Sequence, residues 1–336
     1  MSPSRLDGAD LDRPFWGIRT PQAAKENSSG PAHPVPVRQT DVETLCTALR
    51  VRMRPDAFFS HVTAALLLGL PVPWRLARLR PVHVSCAAPA RAMVARDIVG
   101  HSLRIGADDL IDRGVLRLTG PARTWLDLAG SLSLGELVAV GDYLVHWRLP
   151  LVTLGELAFA LDHYPVRAGQ KNARQALPLL RTRSESPKES VLRVIIVLAG
   201  PPEPECNSNI FDADGIFLAR GDLVYPDYKL LLEYQGDQHR TDRVQWRSDI
   251  RRLGRLEDAG WQVLQFTDDD LHDPAALVAR VARRLRARGA DVGRVRCGDP
   301  ALTTAGTSGC AQLSREDDRA RPAGAGVSVP GGTVNA

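Results

Sequence analysis

Two carboxylates, Asp222 and Glu233, stand in "GDLVYPDYKLLLEYQGDQH" with ten residues between them. Pro226 and Asp227 fall midway, so the stretch reads as a β-hairpin turning between Pro226 and Lys229. Mirror pairing about that turn sets Asp222 opposite Glu233, where facing Cβ atoms lie about 4.5–5.5 Å apart. Carboxylates that close repel each other, and the usual relief is a divalent cation or an arginine. Period-two alternation keeps Gln235 on the Glu233 face and turns Tyr234 away. Mg²⁺ takes carboxylate and water oxygens, keeps several waters and activates one against a phosphate. The chemistry on offer is metal-dependent phosphodiester hydrolysis. The plainer alternative is a polar end of a half-exposed hairpin with its charges in solvent.

The elements around this hairpin follow from local signals. "SPKESVLRVIIVLAG" reads as a helix with Ser186 at the N-cap, Pro187 at the first helical position, Glu189 closing a capping box and Gly200 as the stop. A capping box and a site acid are both open roles for Glu189. "ECNSNIF" and "IFLARGDLVY" are strands joined across "DADG", and "KLLLEYQ" is the third. "DRVQWRSDIRRLGRLEDAG" is a charged helix, "WQVLQFT" a buried strand and "DPAALVARVARRLRARG" a last amphipathic helix. Residues 184–290 thus form one α/β domain.

Ahead of it, residues 39–183 read as a mainly helical α+β domain. "DVETLCTALRVRM", "SHVTAALLLGL", "PARTWLDLAG" and "SLGELVAVGDYLVHWRL" are its helices, and "RPVHVSC" and "GVLRLT" its strands. Ser60 reads as an N-cap, and His61 and His146 have no partner at ligand or catalytic spacing along the chain. Residues 1–38 read as an irregular arm, and 298–336 are too poor in large apolar residues to be expected to fold. Trp246 and Trp261 stand where core positions are expected.

The 336 residues carry 44% hydrophobic and 24% charged side chains, ordinary for a globular protein, with a net charge of +4 that suits a nucleic-acid partner without requiring one. No apolar run has the length of a membrane span and the N-terminus lacks a signal-peptide core, so a cytoplasmic protein with no membrane partner is expected. The cysteines Cys46, Cys86, Cys206, Cys297 and Cys310 are odd in number and form no CxxC pair, which argues against a disulfide framework or zinc ribbon.

The hairpin motif and the helix, three strands, helix, strand order resemble the PD-(D/E)XK, or restriction-endonuclease-like, superfamily. "EYQGDQH", "WRSDIRR" and "AGWQVLQFTDDDL" resemble more closely the endonuclease domains related to very-short-patch-repair enzymes. The N-terminal region, with "FFSHVTAALLLGLPVP", resembles that of abortive-infection antitoxin-like proteins. The implied fold is α/β with a restriction-endonuclease-like αβββαβ(α) core.

The resemblance makes Asp222, Glu233 and the backbone carbonyl of Tyr234 ligands of Mg²⁺ or Mn²⁺, with Glu189 as an extra acid. It makes Gln235 the water-positioning residue, where the superfamily usually has Lys; an amide orients a water but supplies no positive charge. His239 matches a GxxH ending and would serve as base or leaving-group acid. Asp249 and Arg252 match a DxxR spacing, with Arg252 paired to Asp249 or reaching the scissile phosphate.

On the helix after the site Arg243, Arg247, Arg251 and Arg255 recur every four residues, beginning close to Arg240. Such a stripe either holds successive phosphates or is a solvated face. The expected function is a Mg²⁺-dependent DNA endonuclease in defence against foreign DNA or in repair. The alternative is a non-catalytic DNA-binding or antitoxin-like regulator. A second copy or a partner protein would dock through the N-terminal domain.

Overall fold

The computed structural model describes residues 10–15, 18–21, 37–164, 169–236 and 243–296. These form an α/β protein. Near the N-terminus β1 (Leu11–Asp12) and β2 (Thr20–Pro21) pair as a small ribbon. There follow α1 (Gln39–Arg50), β3 (Phe58–Phe59), α2 (His61–Leu67), β4 (Val82–Ala87), β5 (Ile98–Leu103), β6 (Leu110–Arg113), β7 (Leu116–Thr119), α3 (Pro121–Leu128), α4 (Leu134–Leu144), α5 (Leu154–His163) and α6 (Gln170–Ala176). Strands β3 to β7 make a mixed five-stranded sheet in the order β5-β4-β3-β7-β6. Its apolar face carries Phe59, Val82, Val84, Leu116 and Leu118, packed with Cys46, Leu49 and Leu67 of the helices.

This half holds strands that patterning along the chain does not announce. β3 is a Phe-Phe pair with both side chains fully buried, too short to show a period. β5, "IVGHSL", does not alternate buried and exposed positions. The helices rest on clearer signals. Ser133 and Glu136 form a reciprocal capping box at the start of α4, and the fully buried Trp125 of α3 donates its Nε1–H to the Leu137 carbonyl at 2.9 Å.

The C-terminal half runs α7 (Pro187–Ala199), β8 (Glu205–Phe211), β9 (Phe217–Tyr225), β10 (Leu230–Tyr234), α8 (Arg243–Asp258), β11 (Gln262–Phe266), α9 (Asp268–His272) and α10 (Pro274–Ala287). Its sheet has the order β11-β10-β9-β8, with β10 and β11 parallel across the α8 crossover and the other pairs antiparallel. The Leu230-Leu231-Leu232 run is buried on both faces. Leu230 and Leu232 pack with Leu192, Ile195 and Ile196 of α7 and Val278 and Val281 of α10. Leu231 points the other way, into a smaller cluster with Ile210, Val224 and Leu256 of α8. Full burial of one such side chain stabilises the fold by about 1.5–3 kcal/mol. Trp261, partly buried, packs on the second cluster.

The two halves meet where α4 packs on α7. Arg193, with no exposed surface, donates to Asp142 Oδ2 at 2.8 Å and to Glu203 at 3.2 Å, and the Ser190 hydroxyl donates to the same Asp142 oxygen at 2.7 Å. Burial raises the Asp142 carboxyl above its ordinary range despite the opposing Arg193 charge. Cys46, Cys86 and Cys206 are free thiols. Among the described residues no helix is long and apolar enough to cross a membrane.

Candidate functional site

The hairpin has the turn expected of it, a 3-10 turn over Pro226–Tyr228 with Lys229 left-handed at φ 44°. Its register is Leu230↔Tyr225, Leu231↔Val224, Leu232↔Leu223, and one further step brings Glu233 opposite Asp222. There the ladder gives way. The Asp222 carboxylate accepts the Tyr234 N–H at 3.0 Å. β10 meanwhile stays paired with β11 through Glu233↔Gln265 and Tyr234↔Phe266, and the Gln235 N–H reaches the Phe266 carbonyl at 2.7 Å. β9 and β10 therefore part at the two acids. Gly221 allows the close packing just before Asp222, since a Cβ there would run into Leu231, with Val224 at 2.9 Å and Ile210 at 3.3 Å.

The acids sit in different fields. Burial, reinforced by the charges of Glu189 and Glu233 and opposed by the Tyr234 N–H and Arg252, pushes Asp222 up to about 7. Glu233 is 4% exposed, and Arg252 of α8 forks both its oxygens at 2.5 and 3.0 Å. The DxxR spacing named Asp249 or a phosphate for Arg252; its hydrogen-bond partner is Glu233. Arg252 reaches the sheet rather than along its own helix, and its hydrogen bonds to Glu233 raise its pKa, with the Asp249 charge adding to the effect.

Glu189 is buried at 8% exposure. Ser186 Oγ accepts the Glu189 N–H at 3.2 Å, but the Glu189 carboxylate does not complete the reciprocal box on Ser186. It accepts instead the Glu185 N–H at 3.2 Å and the Asn207 side-chain amide at 2.9 Å. Asn207, on β8 at φ 49°, also donates to the Arg183 carbonyl, and nothing in the sequence pattern marks it. Gln235 is half-buried just past β10, while the Tyr234 hydroxyl donates to Asp268 at 3.2 Å.

His239 and Arg240 lie outside the described residues. Arg243 and Arg247 fall on α8, but their side chains are outside the described set; Arg251 and Arg255 are exposed on the same helix and Asp249 is half-buried. A second basic cluster has no signature along the chain. Trp147, 45% exposed, has the guanidinium carbons of Arg148, Arg183 and Arg220 at 4.7, 5.6 and 5.8 Å from its ring centroid. Arg220 precedes Asp222 by two residues on β9 and donates to the Asn207 carbonyl, tying this cluster to the acids.

The N-terminal sheet gathers what the linear spacing keeps apart. His61, His83 and His101 bring ring nitrogens within 4.8 Å of one another, the one set of three or more metal-competent side chains so grouped among the described residues. This overturns the expectation that His61 lacks partners, because they arrive from β4 and β5. Burial pushes His83 and His101 down to about 4, and His61 well below its usual value with both neighbours and Arg123 adding to the effect. Ser60 stands at the N-cap position of α2, but its hydroxyl does not cap; it bonds His61 Nδ1 at 2.8 Å and Ser85 Oγ at 2.5 Å.

Fold and site together define an α/β protein with two acids, Asp222 and Glu233, where two strands part. Over 172 residues the chain is 31% identical to two Mycobacterium tuberculosis proteins described as uncharacterized, from strains CDC 1551 / Oshkosh and ATCC 25618 / H37Rv. The match covers 51% of this chain and 62% of each relative. No family model matches the chain, and no solved structure does.

Proposed function

We propose that this protein is a Mg²⁺- or Mn²⁺-dependent DNA endonuclease of the restriction-endonuclease-like kind. The observation that carries the reading is the parting of β9 and β10 at Asp222 and Glu233, with Glu189 charged alongside. The donor set fits: these are hard carboxylate oxygens, and Asp222, raised first by burial, is raised further by the charges of Glu189 and Glu233, a part that a divalent cation would relieve. Asp222, Glu233 and the Tyr234 carbonyl would hold the ion, Glu233 exchanging Arg252 for it. The bound ion supplies charge neutralisation at the phosphate and a more acidic water. Gln235 would orient an attacking water through its amide. Exposed Arg251 and Arg255 take flanking phosphates, and Arg252, once released, is a third cation beside the reacting group.

The same reading puts the protein in the cytoplasm, acting on foreign or damaged DNA, with the N-terminal half selecting the target or docking a second copy or a partner protein. A second reading has its own support. Gln235 stands where a Lys would supply positive charge, and Arg252 occupies both oxygens of Glu233. Both features favour a regulator that binds DNA without cutting it. Incubating supercoiled plasmid with the protein in Mg²⁺, Mn²⁺ or EDTA separates the two: metal-dependent nicking or linearisation supports the endonuclease, and a gel shift without cleavage in any metal supports the regulator.

A further inference from the structure

We propose that His61, His83 and His101 form a Zn²⁺ site in the N-terminal half, built from three imidazoles with a water in the fourth position. His83 on β4 and His101 on β5 project from one face of a parallel pair, because Ser85, two residues after His83, is the register partner of His101. Their facing nitrogens, His83 Nδ1 and His101 Nε2, are 3.0 Å apart. Tetrahedral zinc with Zn–N bonds of about 2.0–2.1 Å holds its ligand nitrogens about 3.3–3.4 Å from each other. The spacing is within a few tenths of an ångström of a chelate's, but centroids 5.3 Å apart and planes 9° from parallel set the two nitrogens head-on, so both rings must turn to aim at one ion. The ion takes the place of the proton shared between the two rings, which moves to the far nitrogen of one of them.

His61 completes the set from α2. Its ring stacks on His101 with centroids 3.8 Å apart and planes 14° from parallel. It begins the helix at φ 50°, a left-handed conformation in which a histidine is uncommon and which the surrounding structure must hold in place. Ser60 Oγ takes the His61 Nδ1 side, so Nε2 is the nitrogen turned to the metal. A metal-bound histidine usually has its other nitrogen fixed by such a hydrogen bond, and Ser85 in turn fixes Ser60. Behind this shell lies Asp127. One of its oxygens is bonded to Arg123 at 2.9 Å, while the other, Oδ2, is buried and has no hydrogen-bond partner. The His61 backbone N–H bears on the same carboxyl. Asp127 offsets the charge of Arg123 next to His61 and keeps one unpaired oxygen behind the proposed shell.

Imidazole nitrogens in a compact group of three suit Zn²⁺ better than Mg²⁺, which prefers oxygen. The site is thus chemically separate from the carboxylates of the hairpin and does not depend on their proposed role. The experiment is metal loading of the full-length chain: stripping with EDTA, adding Zn²⁺, desalting, and measuring zinc per protein by plasma emission spectroscopy. The expected result is a ratio near one for wild type and for Glu233→Ala, falling at least about tenfold in His83→Gln and His101→Gln. Ser60→Ala should weaken affinity about 10–100-fold, as loss of a supporting hydrogen bond does. Wild type that retains no zinc, or zinc unchanged in the histidine variants, overturns the site. If the histidine variants lose the wild-type circular dichroism, Co²⁺ substitution of wild type decides. Intense visible bands of tetrahedral Co²⁺ support the site, and only the weak bands of octahedral Co²⁺ overturn it.

Discussion

Arg252 and Glu233 are joined by two hydrogen bonds, from a helix on one face of the sheet to a carboxylate at the end of its third strand. The arginine neutralises the acid that the metal reading needs, so it acts as a lock on the site. Arg252→Ala leaves a 4% exposed carboxylate without its partner. It should cost about 1.5–3 kcal/mol in metal-free buffer, the range for hydrogen bonds to charged groups. Thermal denaturation should then show Mg²⁺ raising the melting temperature more in the variant than in wild type. An equal or smaller Mg²⁺ effect in the variant would mean that the arginine does not compete with metal.

Asp222 gives the site a pH signature. Its carboxyl is raised to about 7 by burial first and by Glu189 next. The folded state therefore holds this proton more tightly than the unfolded chain, and the contribution is fully present below the ordinary value of 3.8 and lost as pH rises toward 7. In EDTA, Asp222→Asn should overtake wild type in stability as pH climbs from 4 to 8. Urea titrations across that range check it, and a constant difference between the two proteins would rule the linkage out.

The Arg193–Asp142 pair holds α4 to α7 with 0% and 2% side-chain exposure. Removing one partner strands a buried charge, which costs about 3–5 kcal/mol in comparable pairs. Arg193→Met should approach that loss in chemical denaturation. Adding Asp142→Leu should recover part of it, because two apolar side chains no longer demand solvation.

Phosphate binding leaves a mark in salt. If Arg251 and Arg255 each hold a phosphate, the double change to alanine should reduce the slope of log affinity against log salt by roughly 0.9 for each phosphate no longer neutralised. Trp147→Ala should weaken DNA binding with little change in that slope, since the ring contributes stacking rather than charge. Fluorescence anisotropy with a labelled duplex at several salt concentrations reads both.

Much of the carboxylate site could be read along the chain because its signals are local. Pro226 and Asp227 set the turn, alternation sets the faces, and the two together bring Asp222 against Glu233. Ser186 and Gly200 likewise bracket α7. What stayed hidden depends on which elements meet in space. Glu189 looks like the closing half of a capping box until β8 brings Asn207 beside it. Arg252 looks bound to its own helix until α8 crosses the sheet. The histidines are dispersed over α2, β4 and β5, and no periodicity foretells that those two strands pair in parallel. Ser60, by position an N-cap, spends its hydroxyl on a ring nitrogen.

The central claim is that Asp222 and Glu233 hold a metal for cutting DNA. Its most direct test is single-turnover cleavage of supercoiled plasmid in Mn²⁺ by wild type, Asp222→Ala, Glu233→Ala and Gln235→Lys, with each variant's fold checked by circular dichroism. The account predicts cleavage by wild type, its loss in both alanine variants with DNA binding kept, and faster cleavage in Gln235→Lys, which restores the missing positive charge. Cleavage that persists in folded Asp222→Ala and Glu233→Ala, or a Gln235→Lys protein as inert as an inert wild type, would contradict it.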